Sequence, residues 1–525
     1  MKSVNVIHIR ALIISSLLVI PFPALLAQRN ENGQNPLLHY TVSMNDPGNH
    51  LFRVRLECRD INEDTIYFRM PVWMPGYYQI MGYPDNVRNF SVSSSGKPLP
   101  FTKTDGNTWR VIPWKESPFT ITYEVYSDRK FVANNYLDNT HAYIVPPATF
   151  MYIDGKTDIP VDLTVVPYRS WKNIATGLER PEKNENLFKA PDFDILFDSP
   201  LLIGNLEELP SFKINGINHR FIAYNPGDFN REAFIAALEK TVKAAVDIIG
   251  DIPYREYTFI GIGPGAGGIE HLNNTTVSFS GRRLESPEGM KGMLKFLAHE
   301  YFHHYNVKRI RPFELGPFDY SGEERTNLLW VSEGLTVYYE YLIVRRAGII
   351  SDAELLSGLE GNINAFENDP GREYQSLVQS SYQTWSEGPF GNKLPGPDRS
   401  ISYYDKGPLM GLVLDLSIRN ATRNEKSLDD VMRYLYFTYY KKLGRGFTDA
   451  EFQQVCEKIA GTSLSNEFEY VYTTNKIDYS KYLAYAGLNI SEETDTESGR
   501  RKFTIIRQEE TDPLQLVIFN SWSGK

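Results

Sequence analysis

The sequence predicts an α+β multidomain protein whose N-terminal part is β-sandwich-like and whose C-terminal part is built mainly on helices. Three observations lead there. Between Leu37 and Tyr224, short runs rich in β-branched and aromatic residues alternate with Gly, Pro, Asn and Asp turns. Beyond Asn225-Pro226-Gly227 the apolar spacing changes to that of amphipathic helices. The chain has 525 residues, 42% of them hydrophobic and 23% charged, enough for two or three domains with sizeable cores.

Residues 1–27 have the form of a secretory signal peptide. Lys2 and Arg10 supply positive charge, Ala11 to Leu26 is apolar, and Ala24-Leu25-Leu26-Ala27 offers a cleavage site before Gln28. This implies a secreted or periplasmic protein. The first cysteine is Cys58, which speaks against a lipid anchor at the cleavage point. After signal removal no segment is long and apolar enough to span a bilayer. Losing Lys2 and Arg10 takes the formal charge from −10 to −12, which argues against nucleic acid as a partner. Only Cys58 and Cys456 occur, so a disulfide scaffold is excluded.

The first domain is expected over 28–226. Its strands include His39–Val42, Leu51–Leu56, Thr65–Phe68, Trp109–Val111 and Phe119–Val125. They suit a β-sandwich or an open barrel. Pro71-Val72-Trp73-Met74-Pro75-Gly76 reads as an aromatic loop, because its prolines resist helix. The expected role of this domain is scaffolding.

The second domain is expected over 227–488. Phe234, Ala237, Leu238, Val242, Ala245 and Ile248 mark a helix that ends at Gly250. A strand from Glu256 to Ile262 leads into Gly263-Pro264-Gly265-Ala266-Gly267-Gly268-Ile269-Glu270-His271, where the glycines let another backbone approach closely. Ser286-Pro287 is a helix start, an N-cap followed by proline at the first helical position. The helix carries His299-Glu300-Tyr301-Phe302-His303, an HExxH motif. Histidines four residues apart share one helix face and can bind one zinc ion at about 2.0–2.1 Å each. Glu300, beside the first ligand, can then act as general base toward a water held there. A second helix holds Glu333 inside the apolar and aromatic run Leu329 to Glu340. A buried carboxylate needs a partner or a metal, which makes Glu333 the candidate third ligand. Gly361 to Ser400 reads as irregular, with a long loop. Beyond it, capping boxes at Ser427…Asp430 and Thr448…Glu451 open further helices of an all-helical subdomain. Residues 489–525 read as a C-terminal β tail.

These motifs have a family look. HEYFH with Trp330-Val331-Ser332-Glu333-Gly334 resembles the gluzincin metallopeptidases. The W-x-x-E-G-x-x-x-Y pattern, the Gly267–His271 run and Tyr404-Asp405-Lys406-Gly407 resemble the M1-like aminopeptidases. The longer stretch His299–Pro312, with WVSEGLTVYYE, SYYDKG and Pro71–Gly76, is most similar to the glycyl aminopeptidase family. That resemblance covers roughly residues 37–488. It implies a thermolysin-like catalytic domain over 227–488, one zinc per chain held by His299, His303 and Glu333, and Glu300 as catalytic base. It also implies that Tyr404 donates to the oxyanion. Glu270 would bind the free amine of a peptide substrate, Gly267 and Gly268 would lie along its backbone, and His271 could help to orient it. Small first residues, Gly or Ala, are the preference the family implies. Other readings are an endopeptidase on the same site and a non-catalytic peptide-binding protein. Two departures stand out. Glu333 lies 30 residues after His303, a longer interval than in the M1-like enzymes. The 37 residues after Leu488 are too few for the PDZ domain that usually follows in the family.

Overall fold

A computed structural model of the chain describes residues 37–114, 117–181, 186–391 and 399–525. The expected signal peptide, 1–27, lies outside the described residues. The α+β architecture is as the sequence predicts, a sheet-rich N-terminal domain followed by a largely helical part.

In the first domain, strand Leu37–Ser43 runs antiparallel to Leu51–Arg59 and parallel to Val161–Val166. They belong to a seven-stranded sheet, accompanied by two four-stranded sheets. Leu51–Arg59 shows the two-residue period: Phe52, Val54, Leu56 and Cys58 are buried while Arg53 and Arg55 face solvent. Cys58 and Cys456 are both free and buried in different cores.

The boundary between the domains lies earlier than expected. Strands Glu207–Glu208, Phe212–Ile214 and Ile217–Ala223, assigned above to the first domain, belong to a separate six-stranded sheet. There Ile217–Ala223 pairs in parallel with Glu256–Gly261, which pairs in parallel with Asn274–Val277. A parallel neighbour requires a crossover, which helix Arg231–Ile249 supplies. Asn230 caps that helix, and Gly250, at φ +84°, ends it. The short strand Gly268–Glu270 lies antiparallel to Asn274–Val277 at the edge of the sheet.

Two further expectations are corrected. Among its described residues Gly361 to Ser400 is not mainly irregular: helix Asp352–Glu367 runs through Gly361, and Leu377–Glu387 is a second helix opened by a Ser376–Gln379 capping box, while 392–398 of the expected long loop lie outside the described residues. The C-terminal β tail is a hairpin, Leu488–Thr494 with Arg501–Arg507, followed by helix Pro513–Ser523. Asp512, with Pro513 at the first helical position and Gln515 closing the box, starts that helix. Phe519 and Trp522 anchor it in the helical core, where the Trp522 indole donates to the Tyr338 hydroxyl at 2.7 Å.

Candidate active site

Helix Pro287–Phe302 is capped by Ser286, whose hydroxyl accepts from the Gly289 amide at 3.0 Å. Its last turn brings His299 and His303 onto one face, Nε2 to Nε2 at 2.9 Å. The Nδ1 of each ring faces a second partner. His303 Nδ1 donates to the Asn306 carbonyl at 2.8 Å, and His299 Nδ1 lies 2.8 Å from Glu340 Oε2. Such partners fix the tautomer and turn both Nε2 lone pairs toward one point.

Glu333 meets that point from the facing helix. Trp330–Gly334 forms a π-helical turn that leads into helix Leu335–Arg346. The widened turn lies at the carboxylate, a frequent place for such irregularities. Glu333 Oε2 is 3.2 Å from His303 Nε2 and 3.7 Å from His299 Nε2. Burial alone would raise this carboxyl, but the two imidazoles reverse the effect and hold it well below its usual range. His299, His303 and Glu333 thus offer three ligand atoms, all buried and within 4.8 Å of one another. Two imidazole nitrogens and one carboxylate oxygen, with second partners fixed behind them, are a donor set that suits zinc.

Glu300 projects beside this trio, over the edge strand. A Cβ on Gly268 would fall 2.5 Å from the Glu300 carboxyl, so only glycine allows this approach. Burial pushes Glu300 up to about 8; His299 and His303 draw it down, while Glu270 and Glu333 raise it further. Tyr404 closes the site, its hydroxyl donating to Glu333 Oε2 at 2.9 Å. Burial and then the Glu333 charge hold its phenol well above the usual value, so it is a donor at neutral pH.

The placement of Tyr404 depends on a glycine pair. Helix Tyr403–Ala421 crosses the π-helical turn where Gly407 meets Gly334, and a Cβ on either would come within 2.6 Å of the other's Cα. This helix begins at Tyr403, five residues before Pro408. Pro408 lies inside it and leaves the Tyr404 carbonyl without its amide, and Asn362 Nδ2 donates to that carbonyl at 3.2 Å instead. Gly334→Ala is expected to cost about 1–3 kcal/mol by overpacking and to move Tyr404 off Glu333. Thermal denaturation checks this, and an unchanged Tm would show that the helices can separate freely.

A cavity of about 820 Å³ opens over these groups, lined by His299, Glu300, Tyr404, Gly267 and Gly268 among others. Glu270, His303 and Glu333 are not among the lining residues. Glu270 is 3% exposed and its carboxylate packs on Gly76, where a Cβ would stand 2.8 Å from it; its Oε1 and Glu300 Oε2 are buried without a hydrogen-bond partner. His271 is not brought to the site. Successive residues of a strand point to opposite faces, so the ring beside Glu270 turns away and its Nδ1 meets Asp198 at 3.1 Å. His304 is likewise fully buried away from the cavity, against Tyr301 and Tyr305.

Two family models match the chain, the peptidase M61 N-terminal domain over residues 39–205 and the M61 glycyl aminopeptidase domain over 292–410. Together they span more than half of it. The chain belongs to the M61 glycyl aminopeptidase family.

No curated protein matches this M61 chain in sequence. Among solved structures it is similar to an aminopeptidase N family protein from Idiomarina loihiensis, at 26% identity and TM-score 0.82, covering 88% of this chain and 80% of that one. An M1 zinc metallopeptidase from Deinococcus radiodurans shares the fold at 14% identity and TM-score 0.53, covering 85% and 94%. A point mutant described as bound to a Tyr-Ser-Ala substrate matches equally well.

Sequence reasoning missed several residues that the structure brings to this site. Glu340 follows Glu333 by seven residues, two helical turns, and that spacing was a usable signal. Phe296, one turn before His299, lines the cavity and could have been found the same way. Asn306 carried no signal. Nor did Tyr77, Gln79, Phe131 and Val132, which with Gly76 reach the cavity from the N-terminal domain.

Proposed function

We propose that this M61 protein is a secreted zinc aminopeptidase that releases small N-terminal residues from peptides. The observation that carries the reading is the pair of buried carboxylate oxygens, Glu270 Oε1 and Glu300 Oε2, left without a partner beside His299, His303 and Glu333. Buried carboxylates are paired, so these two are ready for partners that arrive from outside the chain. An attacking water suits one and a peptide's ammonium group the other.

His299, His303 and Glu333 would hold zinc, which when bound polarises a carbonyl and lowers the pKa of water. The remaining roles belong to the chain. The edge strand Gly268–Glu270 is paired on one side by Asn274–Val277 and can accept a substrate main chain on the other. Glu270 receives the α-ammonium in a charge-assisted hydrogen bond, stronger than a neutral one. Glu300, with its carboxyl raised toward neutrality, takes the proton of the attacking water and passes it to the leaving amine. Tyr404 donates its hydroxyl to the oxygen on which negative charge develops.

The test compares a glycyl peptide with its N-acetyl form. Wild type is expected to cleave only the free form at an appreciable rate, and Glu270→Ala to erase most of that difference. Equal rates on both peptides by wild type would leave an endopeptidase on the same site.

A further inference from the structure

We propose that the N-terminal β domain sets the size of the first residue, through a wall formed by Tyr77, Phe131 and Val132. The proposal rests on the aminopeptidase reading and extends it to the residues that make the choice.

The argument begins with where the first residue must lie. Glu270 and Glu300 approach the edge strand from the same side, Glu270 from its last position and Glu300 over Gly268, two residues earlier. Their separation along the strand is about 6.6 Å at 3.3 Å per residue. An amine at Glu270 and a carbonyl in reach of Glu300 therefore bracket one residue. Two segments of the first domain close on this bracket. Gly76, at φ +92°, packs on the Glu270 carboxylate, and Tyr77 follows it into the cavity lining. Val132 reaches Gly267, where a Cβ would stand 3.2 Å from its Cγ2 and 4.0 Å from the Phe131 ring. The Tyr77 and Phe131 rings meet edge to face at 5.3 Å, which joins the two segments.

The wall is fixed from behind. Tyr143, fully buried, donates to the Val132 carbonyl at 2.8 Å, and Tyr83 donates to the Ala133 carbonyl at 2.7 Å. The other segment is tied to the catalytic domain by residues of the long interval between His303 and Glu333. The Val72 amide donates to the Tyr320 carbonyl at 2.9 Å, and the Trp73 indole to the Asp319 carbonyl at 2.8 Å. Trp73 is fully buried, in ring contact with Phe318, Tyr320 and Trp385. A wall held at both ends cannot withdraw for a bulky side chain, and rigid contacts of this kind produce discrimination by size.

The experiment measures kcat/KM on peptides with Gly, Ala, Leu or Phe first, each free and N-acetylated, for wild type, Phe131→Ala and Phe131→Trp. In Phe131→Ala the ratio of Leu-first to Gly-first cleavage is expected to rise at least about tenfold, as expected when several methylene groups gain room. In Phe131→Trp, which needs no cavity to form, the ratio of Ala-first to Gly-first is expected to fall. Unchanged ratios in both variants, with preference for the free amine retained, would overturn the wall and leave the aminopeptidase reading standing. Equal cleavage of free and acetylated peptides by wild type would overturn both.

Discussion

Glu300→Gln is expected to bind metal like wild type and to lose about 10²- to 10⁴-fold in kcat, the usual cost of removing a general base. The substitution conserves shape, so the approach over Gly268 survives and the carboxamide fits where the carboxylate was. His299, His303 and Glu333 are untouched. What disappears is a group raised to about 8, able to take a proton and return it near neutral pH. Steady-state kinetics beside metal analysis checks both halves. A variant that keeps more than about a tenth of the wild-type kcat would assign the proton transfer to another group.

Glu333→Ala is expected to fail differently, by losing the metal. It removes the one carboxylate among the three converging ligand atoms and leaves two imidazoles with Nε2 atoms 2.9 Å apart. Loss of a partner behind a ligand typically costs 10- to 100-fold in metal affinity, so loss of a ligand is expected to exceed about a hundredfold. Tyr404 also loses the acceptor that positions its hydroxyl. Competition with a chelating dye reads the affinity. A Glu333→Ala protein that holds zinc as tightly as wild type would place the third ligand elsewhere.

Glu300 and Glu333 were legible because each lies in a local pattern with a chemical reason. HExxH is a statement about helical pitch, and Glu333 stood out as a charge inside an apolar run. The same kind of signal existed for Glu340 and Phe296, one or two turns from residues already singled out. His271 was named through the family resemblance, and strand geometry turns it elsewhere. In a strand its neighbour Glu270 excludes it from the site, since adjacent side chains face opposite ways. The tail after Leu488 was misread. The Asp512–Gln515 capping box marks a helix, but the residues that follow are apolar enough to suit a strand as well, and only burial of Phe519 and Trp522 decides between them.

By itself the sequence determined the α+β class, the helix that carries the two histidines, the candidate ligand Glu333 and the glycines that let chains approach. Each is local, set by periodicity, capping or the lack of a Cβ within a few residues. Only the tertiary structure decided which distant segments share the cavity. It moved the strands at 207–223 into the six-stranded sheet, crossed Gly334 with Gly407 so that Tyr404 meets Glu333, and brought Tyr77 and Phe131 to the edge strand. The long interval between His303 and Glu333 is what ties Trp73 and its loop in place. Such contacts arise from packing between residues far apart in the chain, and no local pattern of either partner encodes the other's position.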